Sequence, residues 1–207
     1  VINNGFNGVS YGDARYIFSE SDEDPSIPGN VIFMYTAESI SGGWDGGFWS
    51  REHVWPNSRL GVPRVDNSDL SIASDLHNLR ACVSSVNSSR SNKVYALTTT
   101  SSTYYPGDFD KGDVARILFY MLVMYDELEL VEEILPNDPS TNYTLEGADM
   151  SILQYLIMWH YEDDVDAFEQ ARNDAIFTFQ NNRNPFIDYE YLVELVWYEH
   201  VSIPEVE

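Results

Sequence analysis

The chain is short of features that often identify a function. It contains one cysteine, Cys82, so a disulfide within the chain is impossible and a small disulfide-stapled scaffold is excluded. We interpret Cys82 as a buried small residue rather than a catalytic thiol, because the sequence places no base beside it. No run of about 18 apolar residues occurs, so the sequence predicts no transmembrane helix.

Basic residues are also scarce, and they are unevenly placed. Two lysines and nine arginines face 34 acidic residues, which gives a formal net charge of −23. Residues 51–116 hold eight of the 11 basic residues but only seven of the 34 acids, so this segment carries +1 and the rest carries −24. We interpret the basic segment as surrounding a site, and the acidic remainder as a hydrated surface adapted to high salt. An ordinary acidic surface on a secreted enzyme is the alternative interpretation.

The remaining composition is that of a folded protein. Hydrophobic residues make up 43% of the chain and aromatic residues 14%, which excludes disorder by composition. A chain of 207 residues predicts one domain with a substantial core, covering residues 1–207. Because the sequence begins at Val1 without a methionine, we interpret it as a mature product from which a targeting segment has been removed.

Hydrophobic periodicity and turn residues divide the chain into two halves. In the first half we predict a helix at 13–20, strands at 31–36, 48–55 and 76–82, and a helix that Ser84 or Ser85 caps and that passes through residue 90. In the second half we predict helices at 112–125, 150–161, 164–181 and 188–198, with 128–135 continuing or restarting the first. The predicted fold class is therefore α+β, with a small β-sheet part and a predominantly helical C-terminal half.

Adjacent acid and base residues suggest phosphodiester chemistry. Hydrolysis of a phosphodiester needs a base for the attacking water and a cation for the developing charge. His53 suits the base, since a neutral imidazole is available near pH 7. Glu52 and the amide oxygen of Asn87 suit a hard cation such as Mg²⁺, which takes few protein ligands and keeps several waters. A Glu-His pair alone is more often a surface pair than a catalytic site.

Three motifs occur in order and make the pattern specific: REHVWP at 51–56, DLHNLR at 75–80 and SVNSSRSN at 85–92. Together they resemble the endonuclease I family of secreted, non-specific nucleases with a ββα-metal (His-Me finger) site. The resemblance implies that His53 is the general base and that Glu52 and Asn87 are metal ligands, in a core of about residues 48–92. It extends over roughly residues 5–200. Ala81 stands where the family often has proline, and many relatives carry disulfides, which this chain cannot form.

Other polar and aromatic residues are candidates for supporting roles. Arginine holds phosphate through two parallel hydrogen bonds, so we consider four arginines as ligands of the scissile phosphate: Arg59, Arg64, Arg80 and Arg90. Arg90 has an alternative role, which is to tie a loop to a helix through carboxylates. We expect the other histidines to be structural or exposed, with His77 orienting the fold through a hydrogen bond: His77, His160 and His200. Trp44 and Trp55 are candidates to stack on bases.

The leading hypothesis is a secreted, monomeric, divalent-metal-dependent endonuclease that hydrolyses DNA, and also RNA, without sequence specificity or membrane association. Mg²⁺ is the expected cofactor, with Mn²⁺ and Ca²⁺ as alternatives. Three other hypotheses stay open at this point. They are an extracellular ribonuclease of the same family, an acidic protein-binding module that has lost its activity, and a zinc hydrolase, which the absence of clustered Cys and His spacing makes weak.

Overall fold

The polypeptide has the mixed α+β fold that the sequence predicts, with its strands in the N-terminal part and a mostly helical C-terminal half. The computed structural model describes residues 5–44, 46–131 and 150–197. The helices are α1 (Tyr11–Ser21), α2 (Ser84–Arg90), α3 (Lys111–Met124), α4 (Leu153–Glu162), α5 (Ala167–Gln180), α6 (Pro185–Asp188) and α7 (Leu192–Val196). The strands are β1 (Asn30–Phe33), β2 (Glu38–Ser41), β3 (Trp49–His53), β4 (Leu79–Val83), β5 (Val94–Tyr95) and β6 (Thr103–Tyr104).

The strands form three separate two-stranded sheets. The pairs β1–β2 and β3–β4 are antiparallel, and β5–β6 is parallel. Strand β1 ends at Phe33, earlier than predicted, because Tyr35 and Ala37 have positive φ angles of 70° and 52°, which no strand residue adopts. The turn returns the chain as β2, a short polar strand that the sequence did not reveal.

The β3–β4–α2 unit carries the three motifs. Strands β3 and β4 pair from Trp49 opposite Val83 to His53 opposite Leu79, and α2 follows β4 directly. Residues Leu76–Asn78, predicted as the start of the strand, instead form a 3-10 turn. The Asp75 side chain accepts a 2.9 Å hydrogen bond from the backbone N–H of His77, which offers the backbone an alternative to strand pairing.

Helix ends differ from the prediction in several places. Helix α2 begins at Ser84 after Val83 and has no side-chain cap, so the predicted serine cap is wrong. Residues 128–131 are not helical, and Leu130 instead forms a parallel bridge with Met150. The predicted helix at 188–198 is shorter among the described residues, where α7 covers Leu192–Val196. Helix α6, capped by Asn184 and begun by Pro185, precedes it and was not predicted. The predicted segment 132–135, the end of the last predicted helix and His200 lie outside the described residues.

Buried ion pairs join the β-sheet part to the helices. Asp22 at the end of α1 is fully buried and accepts from the guanidinium groups of Arg80 on β4 and Arg172 on α5. Among the described residues, the buried pairs that join these parts include Asp22–Arg80 (3.3 Å), Asp22–Arg172 (3.1 Å), Arg80–Asp113 (2.8 Å) and Arg116–Glu169 (2.6 Å). Each charge is therefore paired away from water, as a buried ion must be.

The apolar core covers much of the helical half and reaches under the hairpin. Trp55 is completely buried and donates its indole N–H to the Arg59 carbonyl at 3.1 Å, so its expected role in stacking on bases is wrong. Cys82 is also completely buried, which agrees with a structural role. Within the described residues, no helix has the length and apolar character needed to cross a bilayer.

Candidate active site

An open cavity of about 500 Å³ lies where the end of β3 meets α2. Five of the seven candidate residues line it: Glu52 and His53 at the end of β3, Arg64 in the following loop, and Asn87 and Arg90 on α2. The β3–β4 hairpin and α2 therefore bring together side chains that are 35 residues apart in the sequence.

His53 is held in one orientation by two contacts. Its Nε2 atom lies 2.7 Å from the carbonyl oxygen of Ala73, and the Tyr11 ring stacks on the imidazole with centroids 5.2 Å apart and planes 21° apart. Because a carbonyl can only accept a hydrogen bond, Nε2 carries the proton and Nδ1 keeps its lone pair. Burial lowers the pKa of His53 to about 4, against a raising effect from the Ala73 carbonyl, so the ring is neutral at pH 7.

Glu52 is buried beside the cavity with one of its carboxylate oxygens engaged. Its Oε1 accepts from the Tyr35 hydroxyl at 2.8 Å and lies 3.3 Å from Arg90 Nη1. Tyr35 in turn forms a very short hydrogen bond to the hydroxyl of Tyr95. Burial raises the pKa of Glu52 to about 7, and Arg90 and the Tyr35 hydroxyl oppose this rise. The negative charge of Glu52 is therefore under-compensated where it meets the cavity, which favours a cation there.

Asn87 presents its oxygen rather than its nitrogen for binding. The amide nitrogen donates to the Ser50 hydroxyl at 3.0 Å and to the Arg51 carbonyl at 3.2 Å, and these two acceptors fix the orientation of the amide. Among the described residues, no donor reaches its Oδ1 atom or the Oε2 atom of Glu52. Two hard oxygen atoms are thus available at one cavity.

Three of the four candidate arginines are buried, and only Arg64 is exposed. Arg80 lies outside the cavity lining in the ion pairs with Asp22 and Asp113. Arg59 is completely buried and donates from Nε to the Asn92 carbonyl at 2.8 Å. Neither arginine lines the cavity, so the geometry does not favour the expected phosphate contact for either.

Arg90 takes the alternative role that the sequence left open. It donates to the His53 carbonyl at 3.0 Å and the Val54 carbonyl at 2.6 Å, and it lies beside Glu52. Its guanidinium group also lies over the Tyr95 ring, 4.6 Å from the centroid. Arg90 thereby joins the end of α2 to the end of β3 and holds the Glu52 carboxylate in place.

His77 is buried in the core. Its ring packs against the Tyr120 ring, with centroids 4.4 Å apart, and burial lowers its pKa to about 4. An interaction with the backbone of Asn182 partly opposes this fall in the pKa. The orienting role of His77 stays a prediction.

Sequence reasoning missed Arg51 and Tyr11. Arg51 lines the cavity beside Glu52, and its guanidinium group lies 3.6 Å from the centroid of the Tyr11 ring. It also donates to the Tyr11 carbonyl and, at 3.1 Å, to Asn67. Arg51 stands first in the REHVWP motif, so its position was visible in the sequence. Tyr11 comes from α1, 40 residues away, and no local pattern connects it to His53.

Comparison with known proteins agrees with this geometry. The endonuclease I family model matches residues 8–108 and 96–190. The chain belongs to the endonuclease I family. It is therefore a phosphodiester-hydrolysing nuclease, and members of this family are typically metal-dependent.

The relatives are named for two related activities. The chain is 35% identical over 211 residues to an extracellular ribonuclease of Bacillus amyloliquefaciens, covering 95% of this chain and 71% of that protein. It is 35% identical over 215 residues to an extracellular ribonuclease of Bacillus subtilis (strain 168), with the same coverage. It is 26% identical over 133 residues to Endonuclease-1 of Buchnera aphidicola subsp. Baizongia pistaciae (strain Bp), covering 56% of this chain and 46% of that protein.

Proposed function

We propose that this endonuclease I family protein is a secreted, divalent-metal-dependent endonuclease that cleaves RNA and also DNA without sequence specificity. The observation that carries the proposal is the arrangement at one cavity of a neutral imidazole with a free Nδ1, a carboxylate oxygen and an amide oxygen. The names of the two Bacillus relatives support secretion and an RNA substrate.

The oxygen atoms at the cavity fit a hard divalent cation. Glu52 Oε2 and Asn87 Oδ1 would hold the ion, which when bound supplies a positive charge opposite the phosphate and the leaving oxygen. Among the described residues there is no group of three His, Cys, Asp or Glu side chains that could hold a metal ion, so nothing there favours a zinc site. Two protein ligands and several waters are what Mg²⁺ prefers.

His53 acts in this proposal as the general base toward water. Its Nδ1 lone pair takes a proton from the attacking water, while the bond from Nε2 to the Ala73 carbonyl and the Tyr11 ring keep the imidazole oriented. A low pKa keeps the base free of protons before the substrate arrives. An anionic phosphate beside the ring then favours the imidazolium, which raises the basicity of His53 when it is needed.

Attack by water explains how one site serves both nucleic acids. The base does not act on the 2′-hydroxyl of RNA, so the sugar does not enter the chemistry. We expect cleavage of RNA whose 2′-hydroxyls are methylated, and products without a 2′,3′-cyclic phosphate. Cyclic products from RNA and no cleavage of DNA would overturn the water-attack mechanism.

The test of the catalytic assignment is His53→Ala, with His160→Ala as a control because His160 lies on α4, away from the cavity lining. We expect His53→Ala to reduce single-turnover cleavage of RNA by about 10²–10⁴-fold, and added imidazole to restore part of the rate. Removal of divalent ions with EDTA should abolish cleavage by the unaltered protein. A His53→Ala protein that folds and keeps near-normal cleavage would show that another group is the base.

A further inference from the structure

A cluster of arginines and aromatic rings continues from the candidate active site toward helix α1. We call this surface the arginine–aromatic track; it comprises Tyr11, Arg15, Tyr16, Trp44 and Arg51. The guanidinium group of Arg15 lies 4.9 Å from the Tyr16 ring centroid and 5.7 Å from that of Trp44. Arg51 lies 5.8 Å from the same Trp44 centroid and 3.6 Å from that of Tyr11. One indole is therefore shared by two positive charges.

In the part of the chain that the structure describes, the positive charges of the track have no acidic partners. Within residues 5–44, 46–131 and 150–197, six basic residues form ion pairs with carboxylates: Arg80, Arg90, Lys111, Arg116, Arg172 and Arg183. Arg15, Arg51 and Arg64 form none within the same ranges, although the chain has 34 acids. The Nε atom of Arg15 is buried without a hydrogen-bond partner there.

The two arginines on the shared indole repel each other. The guanidinium group of Arg15 lies 5.7 Å and that of Arg51 lies 5.8 Å from the centroid of the Trp44 ring, so the two positive charges are held close together. Two like charges that form no ion pair among the described residues make a site for an external anion, because an anion relieves their repulsion. Phosphodiester groups of the substrate are anions of this kind.

The track is continuous with the candidate active site. A second cavity, of about 580 Å³, adjoins the first and is lined by Tyr11, Arg51, His53, Arg64 and Asn67, among others. Arg51, His53 and Arg64 line both cavities. A chain bound along the track therefore leads past the imidazole of His53.

We propose that the arginine–aromatic track binds a single-stranded segment of the polynucleotide beside the bond that is cleaved. Arg15 and Arg51 hold its phosphates, and unpaired bases stack on the exposed parts of Trp44 and Tyr16, the latter 57% exposed. Bases in a duplex are already stacked on each other and cannot present a free face, so the rings discriminate against double strands. This inference rests on the proposed nuclease function.

The test measures binding separately from cleavage. Fluorescence anisotropy in EDTA compares oligonucleotides of about 12 nucleotides, a length within the range that single-strand sites cover. The probes are oligo(U), oligo(dT) and a DNA duplex of the same length. We expect both single strands to bind more tightly than the duplex. Equal or tighter binding of the duplex would overturn the proposal.

Arg15→Gln, Arg15→Lys and Arg183→Gln form a matched set. Loss of one phosphate contact should make the logarithmic salt dependence of binding to oligo(U) shallower by about 0.7. We expect this change for Arg15→Gln, with a several-fold weaker affinity, whereas Arg15→Lys should keep most of the salt dependence. Arg183 is paired with Asp174 and Asp188, so Arg183→Gln should change neither quantity. An unchanged salt dependence in a folded Arg15→Gln protein would show that Arg15 only supports the Trp44 ring.

Cleavage with Mg²⁺ by the same proteins separates this inference from the proposed function. Arg15→Gln should raise KM for oligo(U) and leave kcat nearly unchanged, because Arg15 does not line the catalytic cavity. If the unaltered protein binds single strands through the track but cleaves none, the proposed function fails and the track stands. If it cleaves and Arg15→Gln has the KM of the unaltered protein, the track fails and the function stands.

Discussion

Two sets of arginines in this protein differ in burial and in partners. Arg80, Arg116 and Arg172 are at most 3% exposed, and each is paired with a buried carboxylate. Arg51 and Arg64 line the candidate active-site cavity and have no carboxylate partner in the described part of the chain. The first set joins distant elements of the fold, and the second leaves its charge available to a substrate.

The difference changes how the charge distribution of the sequence is interpreted. Residues 51–116 are rich in basic residues, and the sequence suggested that these surround the site. Several of them are instead committed to the interior or to ion pairs: Arg59, Arg80, Arg90, Lys111 and Arg116. The positive charge at the cavity therefore comes from few residues, and their lack of acidic partners matters more than their number.

The strongest way to test the comparison is to remove a buried arginine. Arg172 donates to Asp22 at 3.1 Å and to the carbonyls of Leu76 and Leu79 at 2.6 Å each. Arg172→Met leaves a buried carboxylate and two carbonyls with fewer donors. We expect the free energy of unfolding to fall by about 3–5 kcal/mol, measured by urea denaturation. The activity of the folded fraction should be largely retained.

Arg183→Met is the matched control for that experiment. Arg183 is also paired with carboxylates, Asp174 and Asp188, but its side chain is 27% exposed. A partly exposed pair of this kind contributes at most about 1 kcal/mol, so the stability should change little. If Arg172→Met and Arg183→Met lost equal amounts of stability, the buried ion pairs would not be what distinguishes the two sets of arginines.

Substitution of Arg64 should have the opposite effect, a loss of activity without a loss of stability. It is exposed, and it lines both cavities beside His53. If it holds the phosphate in the transition state, Arg64→Gln should lower kcat by about 10²-fold, as removal of one donor to a developing charge does elsewhere. Arg64→Lys should recover only part of the rate, because lysine cannot form two parallel hydrogen bonds. A reduction smaller than about threefold in Arg64→Gln would remove Arg64 from the site.

The same contrast explains what the sequence could and could not predict. Glu52, His53 and Asn87 were predicted from their chemistry and from three motifs that resemble a family, and one hairpin with the helix that follows it places them at one cavity, while their roles stay predictions. The roles of Arg80 and Arg172 were not predicted, because their common partner Asp22 is 58 and 150 residues away. A phosphate-binding arginine and a core arginine look alike until the carboxylates around each are known.

The prediction of secondary structure from the sequence has a similar limit. Helix α3 was predicted from the helical spacing of its apolar residues, α4 from a segment that is apolar on most sides, and α5 as a longer polar helix. The sequence predicted a strand where Leu76–Asn78 form a 3-10 turn. Leu76 and His77 are both buried, and residues of a buried strand would be too, so burial does not distinguish the two conformations. The hydrogen bonds to Asp75, from the hydroxyls of Tyr120 and Tyr125 and from the amide of Gln180, come from the C-terminal half. Long-range partners of this kind decide a local conformation that the local sequence leaves open.

Salt should affect the buried, paired arginines least and the acidic surface most. Buried ion pairs are screened little, so the interior network should persist as the Debye length falls from about 10 Å at 0.1 M to about 3 Å at 1 M salt. The acidic remainder of the chain, with its net charge of −24, repels itself over longer distances and is screened strongly. We therefore expect the melting temperature to rise by about 2–4 °C over this range, which corresponds to roughly 1 kcal/mol for a chain of this size.

The cleavage rate should also depend on salt through two opposing effects, and we expect its change to be smaller than that of the melting temperature. Each phosphate contact contributes a slope of about −0.7 to the logarithmic salt dependence on single strands, and the few unpaired arginines give a shallow total slope. Salt also screens the repulsion between the acidic surface and the polyanionic substrate. We therefore expect the rate of oligo(U) cleavage to be highest at several tenths molar salt. At about that concentration the Debye length becomes comparable to the distance between two charges in contact. NaCl and KCl should act alike, since screening depends on ionic strength. Activity that is highest at the lowest salt and falls steadily would mean that release of counterions dominates and that the acidic surface does not adapt the enzyme to salt.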